Sequence, residues 1–430
     1  MNEMVAMQRD TLTGLPGRAA SLDRLDSWLA GKGPPIHAMV LSLGRFETVN
    51  LAYGEAAGDG ALAEIARRLM HFGEDEFELS DWIAARLGGG KFLLALREEC
   101  TRERWQWLAE ALADAVALPI APVEDDVSLR LWPRIALIRA DTGEDSRALL
   151  DRLAEAIGRM KGEPGRRVAW VDRDNAPGGI SGAQLEADLV GAMARGEIEL
   201  RFQPQYALPG DALIGAEALA RWNHRDLGQI GAGTLFAIAQ RADQISALSR
   251  HIAERALEAA SAWPKGLRLS LNITPSDVAA AGFASDFLDL VKEKGFDPAL
   301  LTLEITEQVL LGDVDAAAGV LETIDASGIS IALDDFGAGF CNFRYLKVLP
   351  LRSLKLDRAM VDGIGDDPRD VAVLRAIIAM ANALKLSVVA EGIDTADKLK
   401  IVADEGCSVY QGFLKAKPMR PEAFMALASA

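Results

Sequence analysis

In the second half of the chain, short apolar runs of strand length alternate with longer stretches in which apolar residues recur at helical spacing. Gln244 to Trp263, Val371 to Leu384 and Ala396 to Asp404 read as helices, and strands are predicted near Ile198, Ile214, Leu267, Leu300, Ile329, Ser353, Ser387 and Val409. Repeated strand-helix units imply parallel strands joined by helical crossovers. Eight such strands over roughly 245 residues is the size expected of a β/α barrel.

The first half has a different rhythm. An apolar run at Ala38 to Leu43, a helical pattern at Gly60 to Leu69, a hairpin-like pair around Ile83 to Leu96, and strands near Leu129 to Ile138 and Val168 to Val171 predict an α+β domain on a largely antiparallel sheet. Between the halves, Arg173 to Gly182 (RDNAPGGISG) is rich in turn formers and has no apolar period. The expected organisation is therefore an α+β domain over residues 1–172, a linker over 173–183 and a TIM-like α/β barrel over 184–430.

Composition narrows the function classes. The 430 residues carry a formal charge of −17 with no basic block to offset it, which argues against duplex nucleic acid as a partner. No stretch approaches the ~18 apolar residues of a spanning helix, so a soluble, cytoplasmic protein is expected. Cys100, Cys341 and Cys407 are too widely separated to suggest a disulfide framework or a thiolate metal site.

The chemistry is carried by where polar residues interrupt the barrel strands. Glu217 lies in IGAEALARW, Asn272 ends LSLNIT, Glu304 and Glu307 lie in LTLEITE, Asp334 and Asp335 in IALDDFG, Lys355 and Asp357 in SLKLD, and Glu391 in VVAEG. The carboxyl ends of barrel strands open onto one face, so these groups should converge there. Carboxylates brought so close repel unless they take up protons or bind cations. Oxygen-only donors select Mg²⁺ or Mn²⁺ rather than zinc. Asp334 and Asp335 are adjacent and would face opposite sides of a regular strand, so the pleat must break there; Asp334 would then bridge two ions and Asp335 bind the second. Such a pair of ions, ~3.5–4 Å apart, suits in-line attack on a phosphodiester. Strand-end caps and surface ion pairs are the competing reading of each residue taken singly.

Lys355 is the cation expected on this rim, either orienting water or neutralising phosphate; a structural pair with Asp357 or Asp335 is its alternative. Arg221 is placed for a fork-like phosphate contact or for an ion pair. Gln203 with Pro204, and Gln411 with Gly412, present amide and backbone groups to a base edge. His224 and His251 read as ordinary surface or partly buried imidazoles.

These motifs resemble the EAL-domain cyclic di-GMP phosphodiesterases. Glu217-Ala218-Leu219 stands intact, followed by Ala220-Arg221-Trp222, and FQP, LNIT, LEITE, LDDFG, LKLD, AEG and QGF occur in order across residues 184–430. The resemblance implies opening of cyclic di-GMP to linear pGpG with two Mg²⁺ or Mn²⁺. It assigns Glu217, Asn272, Glu304, Asp334 and Asp335 as metal ligands, Glu391 and Lys355 to the attacking water, and Glu307 as anchor of the loop after the fifth strand. It further places Gln203, Leu219, Arg221 and Gln411 against substrate, and implies a homodimer. The chain departs from the family in that loop, reading DFGAGFCN where the family reads DFGTGYSS, so Ala338, Phe340, Cys341 and Asn342 remove hydroxyl hydrogen bonds. Asp394 shortens the usual Glu of AEGIDT. A non-catalytic cyclic di-GMP receptor and an interaction scaffold are the competing functions.

The first half resembles the GGDEF diguanylate cyclase domain through DTLTGLPGR at Asp10 to Arg18, RFETVNLAYG leading to Gly58-Asp59, and Gly88-Gly89-Gly90-Lys91-Phe92. Its chemistry is missing. Gly90 and Lys91 replace the carboxylate pair of the name motif, and Ser42 and Gly44 stand at the family's upstream metal positions; the product-inhibition RxxD is also absent, with Leu79 and Trp82 at its ends. Cyclase activity is therefore not expected. Asn50, Asp59, Gly88 and Gly89 match guanine- and phosphate-contacting positions, with Lys91 and Lys161 as added charge, so GTP is a candidate regulatory ligand. A folded partner and dimerisation surface is the other reading.

Overall fold

The computed structural model describes residues 9–44, 46–78, 80–120, 129–140, 144–160, 165–172, 182–306, 314–337, 345–365 and 368–429. It separates into two units, one formed by residues 1–185 with 224–234 and the other by 186–223 with 235–430.

In the first unit five strands, β1 (Ile36–Gly44), β2 (Asp81–Gly88), β3 (Lys91–Arg97), β4 (Trp132–Ala140) and β5 (Val168–Trp170), form a sheet in the order β2-β3-β1-β4-β5. All pairings are antiparallel except β4 with β5. Central β1 is apolar almost throughout and buried over its first eight residues, as a strand covered on both faces must be. The helix Ser146–Met160 turns Leu149, Leu150, Leu153, Ala156, Ile157 and Met160 to the core, the 3.6-residue period made visible. Thr101 starts the helix Arg102–Ala117 by accepting a hydrogen bond from the backbone N–H of Arg104. The short strand β8 (Gly228–Ile230) lies in the stretch 224–234 that packs with this unit.

The second unit contains β6 (Ile198–Ala207), β7 (Leu213–His224), β9 (Arg268–Asn272), β10 (Leu301–Thr306), β11 (Ser330–Phe336), β12 (Ser353–Leu356), β13 (Ser387–Ala390) and β14 (Val409–Tyr410). They run β6-β14-β13-β12-β11-β10-β9-β7, and β6 pairs with β7 to close the barrel. All eight predicted strands are present.

The expectation of parallel strands throughout needs correcting at the first one. β6 runs antiparallel to both β7 and β14. Leu208 to Ala212 is too short for a crossover helix, which takes a dozen residues or more, so the connection is a hairpin turn. That turn includes the cis Leu208–Pro209 bond and the left-handed Gly210 and Asp211. Tyr410 and Lys415 both donate hydrogen bonds to the Asp211 carboxylate. Beneath β6, Phe202 meets Trp263 edge-on at 5.0 Å between ring centres, and Trp263 meets Phe424 at 4.5 Å. Each such contact adds about 1 kcal/mol beyond area burial.

A cluster of carboxylates around Lys355

The barrel register brings together residues distant in sequence. Glu304 of β10 lies level with Asn272 of β9 and Ala332 of β11, and Glu217 of β7 lies level with Ser270 of β9 and Gln203 of β6. One oxygen each from Glu217, Glu304 and Asp334 falls within 4.8 Å of the others, and all three residues are buried. Lys355, itself only 1 % exposed, sends its ammonium among them. Its Nζ lies 2.6 Å from Glu304, 2.8 Å from Glu391, 3.1 Å from Asp334 and 3.3 Å from Glu217. The ion-pair partners are thus these four carboxylates rather than Asp357 or Asp335, the partners suggested by nearness in sequence.

The pleat does break at the aspartate pair. Asp335 has φ +56°, and the register of β11 against β12 shifts between Leu333 and Phe336. The Asp335 backbone N–H donates to Asp334 Oδ1 at 3.0 Å. Asn272 is exposed at the end of β9 and donates from Nδ2 to Glu217 Oε1 at 2.7 Å.

Electrostatics follow from one cation among three buried acids and the half-buried Glu391. Burial pushes Glu304 well above the usual carboxylate range, and the neighbouring Glu217 charge adds to it against Lys355. Burial also raises Glu391 well above that range, and Asp334 to about 6. Burial opposes ionisation of Glu217 as well, but the Lys355 ammonium and hydrogen bonds from Gln411 and Asn272 outweigh it and hold this carboxyl low. Desolvation works against the Lys355 charge, yet the surrounding acids raise its proton affinity well above that of an ordinary lysine. The cluster is under-neutralised by a single lysine, and its hard oxygen donors fit added divalent cations.

Of the other predicted residues, Gln411 donates from Nε2 to Glu217 at 2.9 Å and to Glu391 at 3.0 Å. Gln203 is buried beside Glu217, and its Nε2 donates to the Ala416 carbonyl at 2.7 Å, so one end of that amide is committed to the protein. Arg221 is buried and donates to the Ala220 carbonyl at 2.8 Å; Leu219 is half-buried. His224 is more enclosed than expected, with Nδ1 accepting from the backbone of Asp226 and Leu227. Asp394 pairs with Lys398 at 2.8 Å and Arg358 at 3.6 Å. Glu307 and the substituted loop residues Ala338, Phe340, Cys341 and Asn342 lie outside the described residues, as do Leu79 and Lys161. One participant was missed from the sequence: buried Gln205, whose Nε2 donates to Gln411 Oε1 at 3.1 Å. The signal was the pair of glutamines two residues apart, which share one face of β6.

In the first unit, Gly88 and Gly89 turn the β2–β3 hairpin with φ of +118° and +54° and open space where a Cβ would point. Asn50 and Asp59 are exposed on the helices Phe46–Tyr53 and Glu55–Glu76, and the Asn50 side chain lies against Gly58. Ser42 stands opposite Lys91 across the β1–β3 ladder. Cys100 and Cys407 are free and buried. Among the described residues, no helix is long and apolar enough to cross a membrane.

Residues 186–418 match the family described as "EAL domain", and residues 7–167 match "Diguanylate cyclase, GGDEF domain". An uncharacterized protein of Mycobacterium tuberculosis is 31 % identical over 98 % of this chain and 68 % of its own length. The bifunctional diguanylate cyclase/cyclic di-GMP phosphodiesterase MucR of Pseudomonas aeruginosa is 30 % identical over 97 % of this chain, which spans 61 % of MucR. The solved MucR phosphodiesterase in complex with cyclic di-GMP aligns with 56 % of this chain and 99 % of its own, at 32 % identity and a TM-score of 0.53. LapD of Vibrio cholerae, a tandem GGDEF-EAL structure, shares the fold at 18 % identity and a TM-score of 0.55 over 94 % of this chain and 95 % of its own. The chain therefore belongs to the EAL domain family, with a GGDEF domain preceding a closed eight-strand barrel.

Proposed function

We propose that the chain is a metal-dependent cyclic di-GMP phosphodiesterase that opens its substrate to linear pGpG, and that its GGDEF domain is a regulatory module without cyclase activity. The observation that carries this is the buried trio Glu217, Glu304 and Asp334 gathered around Lys355 in an EAL-family barrel. In this reading residues 1–172 are the GGDEF domain, 173–183 the linker and 184–430 the catalytic domain.

Glu217, Asn272, Glu304, Asp334 and Asp335 would hold two Mg²⁺ or Mn²⁺, which supply Lewis acidity at the phosphodiester. Glu391 would accept a proton from the attacking water, and Lys355, 2.8 Å from it, would position that water. Arg221 and Leu219 border the dinucleotide with Gln203 and Gln411, whose amides are each partly engaged within the protein. Glu307 is assigned to anchoring the loop after β11.

The GGDEF domain has Ser42, Gly44, Gly90 and Lys91 where a cyclase needs carboxylates to hold cations and activate a hydroxyl. Its open Gly88–Gly89 turn still offers backbone N–H groups to a phosphate, and Asn50 and Asp59 match the family's guanine-contacting positions, so GTP is the proposed regulatory ligand.

The test is incubation of the purified chain with cyclic di-GMP and Mg²⁺ or Mn²⁺, with products separated by chromatography. Formation of pGpG that Asp334→Asn abolishes is expected. Tight cyclic di-GMP binding without turnover in either metal would make the chain a receptor instead. For the regulatory site, calorimetric titration of GTP should yield binding that Asn50→Ala removes; no heat at high micromolar GTP would refute it.

A further inference from the structure

Gln411 occupies a position where an amide can face only one way. Glu217 and Glu391 offer it acceptor oxygens at 2.9 and 3.0 Å, so its NH₂ end must point to them; the reversed amide would set a carbonyl dipole against two carboxylates. That choice turns Oε1 away from the cluster, into surroundings where Gln411 is 7 % exposed. A buried carbonyl oxygen without a donor is destabilising, and Gln205 supplies the donor from Nε2 at 3.1 Å. Gln205 is itself 7 % exposed and sits on β6, the antiparallel strand that closes the barrel.

We propose that Gln205 is a positioning residue: its amide fixes the orientation of Gln411, which in turn holds Glu217 and Glu391 at a set separation. Gln205 touches neither carboxylate in this chain of contacts and acts through Gln411. The inference rests on the reading of this cluster as a divalent-cation site, since the separation of the two acids matters to the chemistry through the ions they flank. A freed Gln411 leaves Glu391, the more solvent-accessible of the two acids, with its Lys355 pair at 2.8 Å but without the amide that ties it to Glu217.

The experiment uses the full chain and Mn²⁺, with free Mn²⁺ followed by its electron paramagnetic resonance signal and hydrolysis of cyclic di-GMP followed in parallel. Gln205→Met keeps the size of the side chain and removes the donor. It should raise the Mn²⁺ concentration for half-saturation at least fivefold and lower kcat at least tenfold, with KM for cyclic di-GMP within twofold. Gln411→Met should show the same losses in Mn²⁺ half-saturation and kcat, together with a raised KM because Gln411 also borders the dinucleotide, and Gln205→Met should add less than twofold to any of these on the Gln411→Met background, because residues acting in series are not additive. Gln205→His places a ring N–H at similar reach and should recover most of the loss. Gln205→Glu, acceptor-only at the same length, should be worse than Gln205→Met. The histidine and glutamate variants give the same comparison if the methionine variant does not fold. Wild-type Mn²⁺ uptake and kcat in Gln205→Met, or losses that multiply with those of Gln411→Met, would overturn the role of Gln205 alone. Absence of Mn²⁺ uptake by the unsubstituted chain would instead overturn the metal-site reading and this inference with it.

Discussion

Replacing Lys355 by Met asks how the barrel tolerates its own acids. The side chain is buried and its ammonium lies within 3.3 Å of Glu217, Glu304, Asp334 and Glu391, so the substitution leaves those groups without their shared counter-ion. Breaking a buried ion pair by removing one partner costs about 3–5 kcal/mol. Proton uptake by Glu304 and Glu391, both already raised by burial, relieves part of the repulsion and sets the expectation near the lower end, about 3 kcal/mol. Added cations take over the neutralising role, and because they stabilise the parent as well, the gap narrows by the ratio of the two affinities: loss of the competing ammonium should let Mn²⁺ bind the variant about thirtyfold tighter, which is worth about 2 kcal/mol. The assay is urea unfolding of the full chain in EDTA and in Mn²⁺. The barrel transition is identified as the one that Mn²⁺ shifts, because two units need not unfold together. Lys355→Met should be less stable than the parent in EDTA by about 3 kcal/mol, and Mn²⁺ should narrow the gap to about 1 kcal/mol. Equal stability in EDTA, or a gap that Mn²⁺ leaves unchanged, would refute the reasoning.

His37, fully buried on β1 against Trp105 at 5.4 Å, has its imidazole pushed down from 6.5 to about 4 by burial and by the Arg139 and Arg102 charges. The unfolded chain binds a proton as pH falls through 6.5 while the folded one resists until about 4, so stability is intact above 6.5 and declines by about 3 kcal/mol across that window. Urea midpoints of the GGDEF-domain transition between pH 7 and 4 should fall more steeply for the parent than for His37→Leu; parallel curves would contradict the assignment. An added Cβ at Gly412 would lie 2.2 Å from the Ile393 carbonyl oxygen and 2.3 Å from its nitrogen, so Gly412→Ala must displace backbone beside Gln411. It should destabilise the barrel by about 2–3 kcal/mol in denaturant and reduce turnover; a neutral variant would show that the loop gives way freely.

Strand positions in the barrel were legible because each ended in a motif whose polar residue interrupts an apolar run, as in LSLNIT and IALDDFG. The direction of β6 was not, since hydrophobic periodicity is the same for either direction; the five residues before β7 were the available clue. The pleat break at Asp334-Asp335 could be deduced because two adjacent acids cannot share one face of a regular strand, and the left-handed Asp335 agrees with that deduction. The partners of Lys355 could not be deduced. Asp357 is its neighbour along the chain, whereas the closed barrel brings Glu304 of β10 and Asp334 of β11 to 2.6 and 3.1 Å from its Nζ. Gln205 escaped notice because an amide's value lies in which end faces which neighbour, and that needs coordinates.

Crystals grown with Mn²⁺, with diffraction recorded at the manganese edge, test the central claim most directly. Two anomalous peaks bounded by Glu217, Asn272, Glu304, Asp334 and Asp335 are predicted. Manganese bound elsewhere, or no peak while Glu217, Glu304 and Asp334 stay closed around Lys355, would contradict the account.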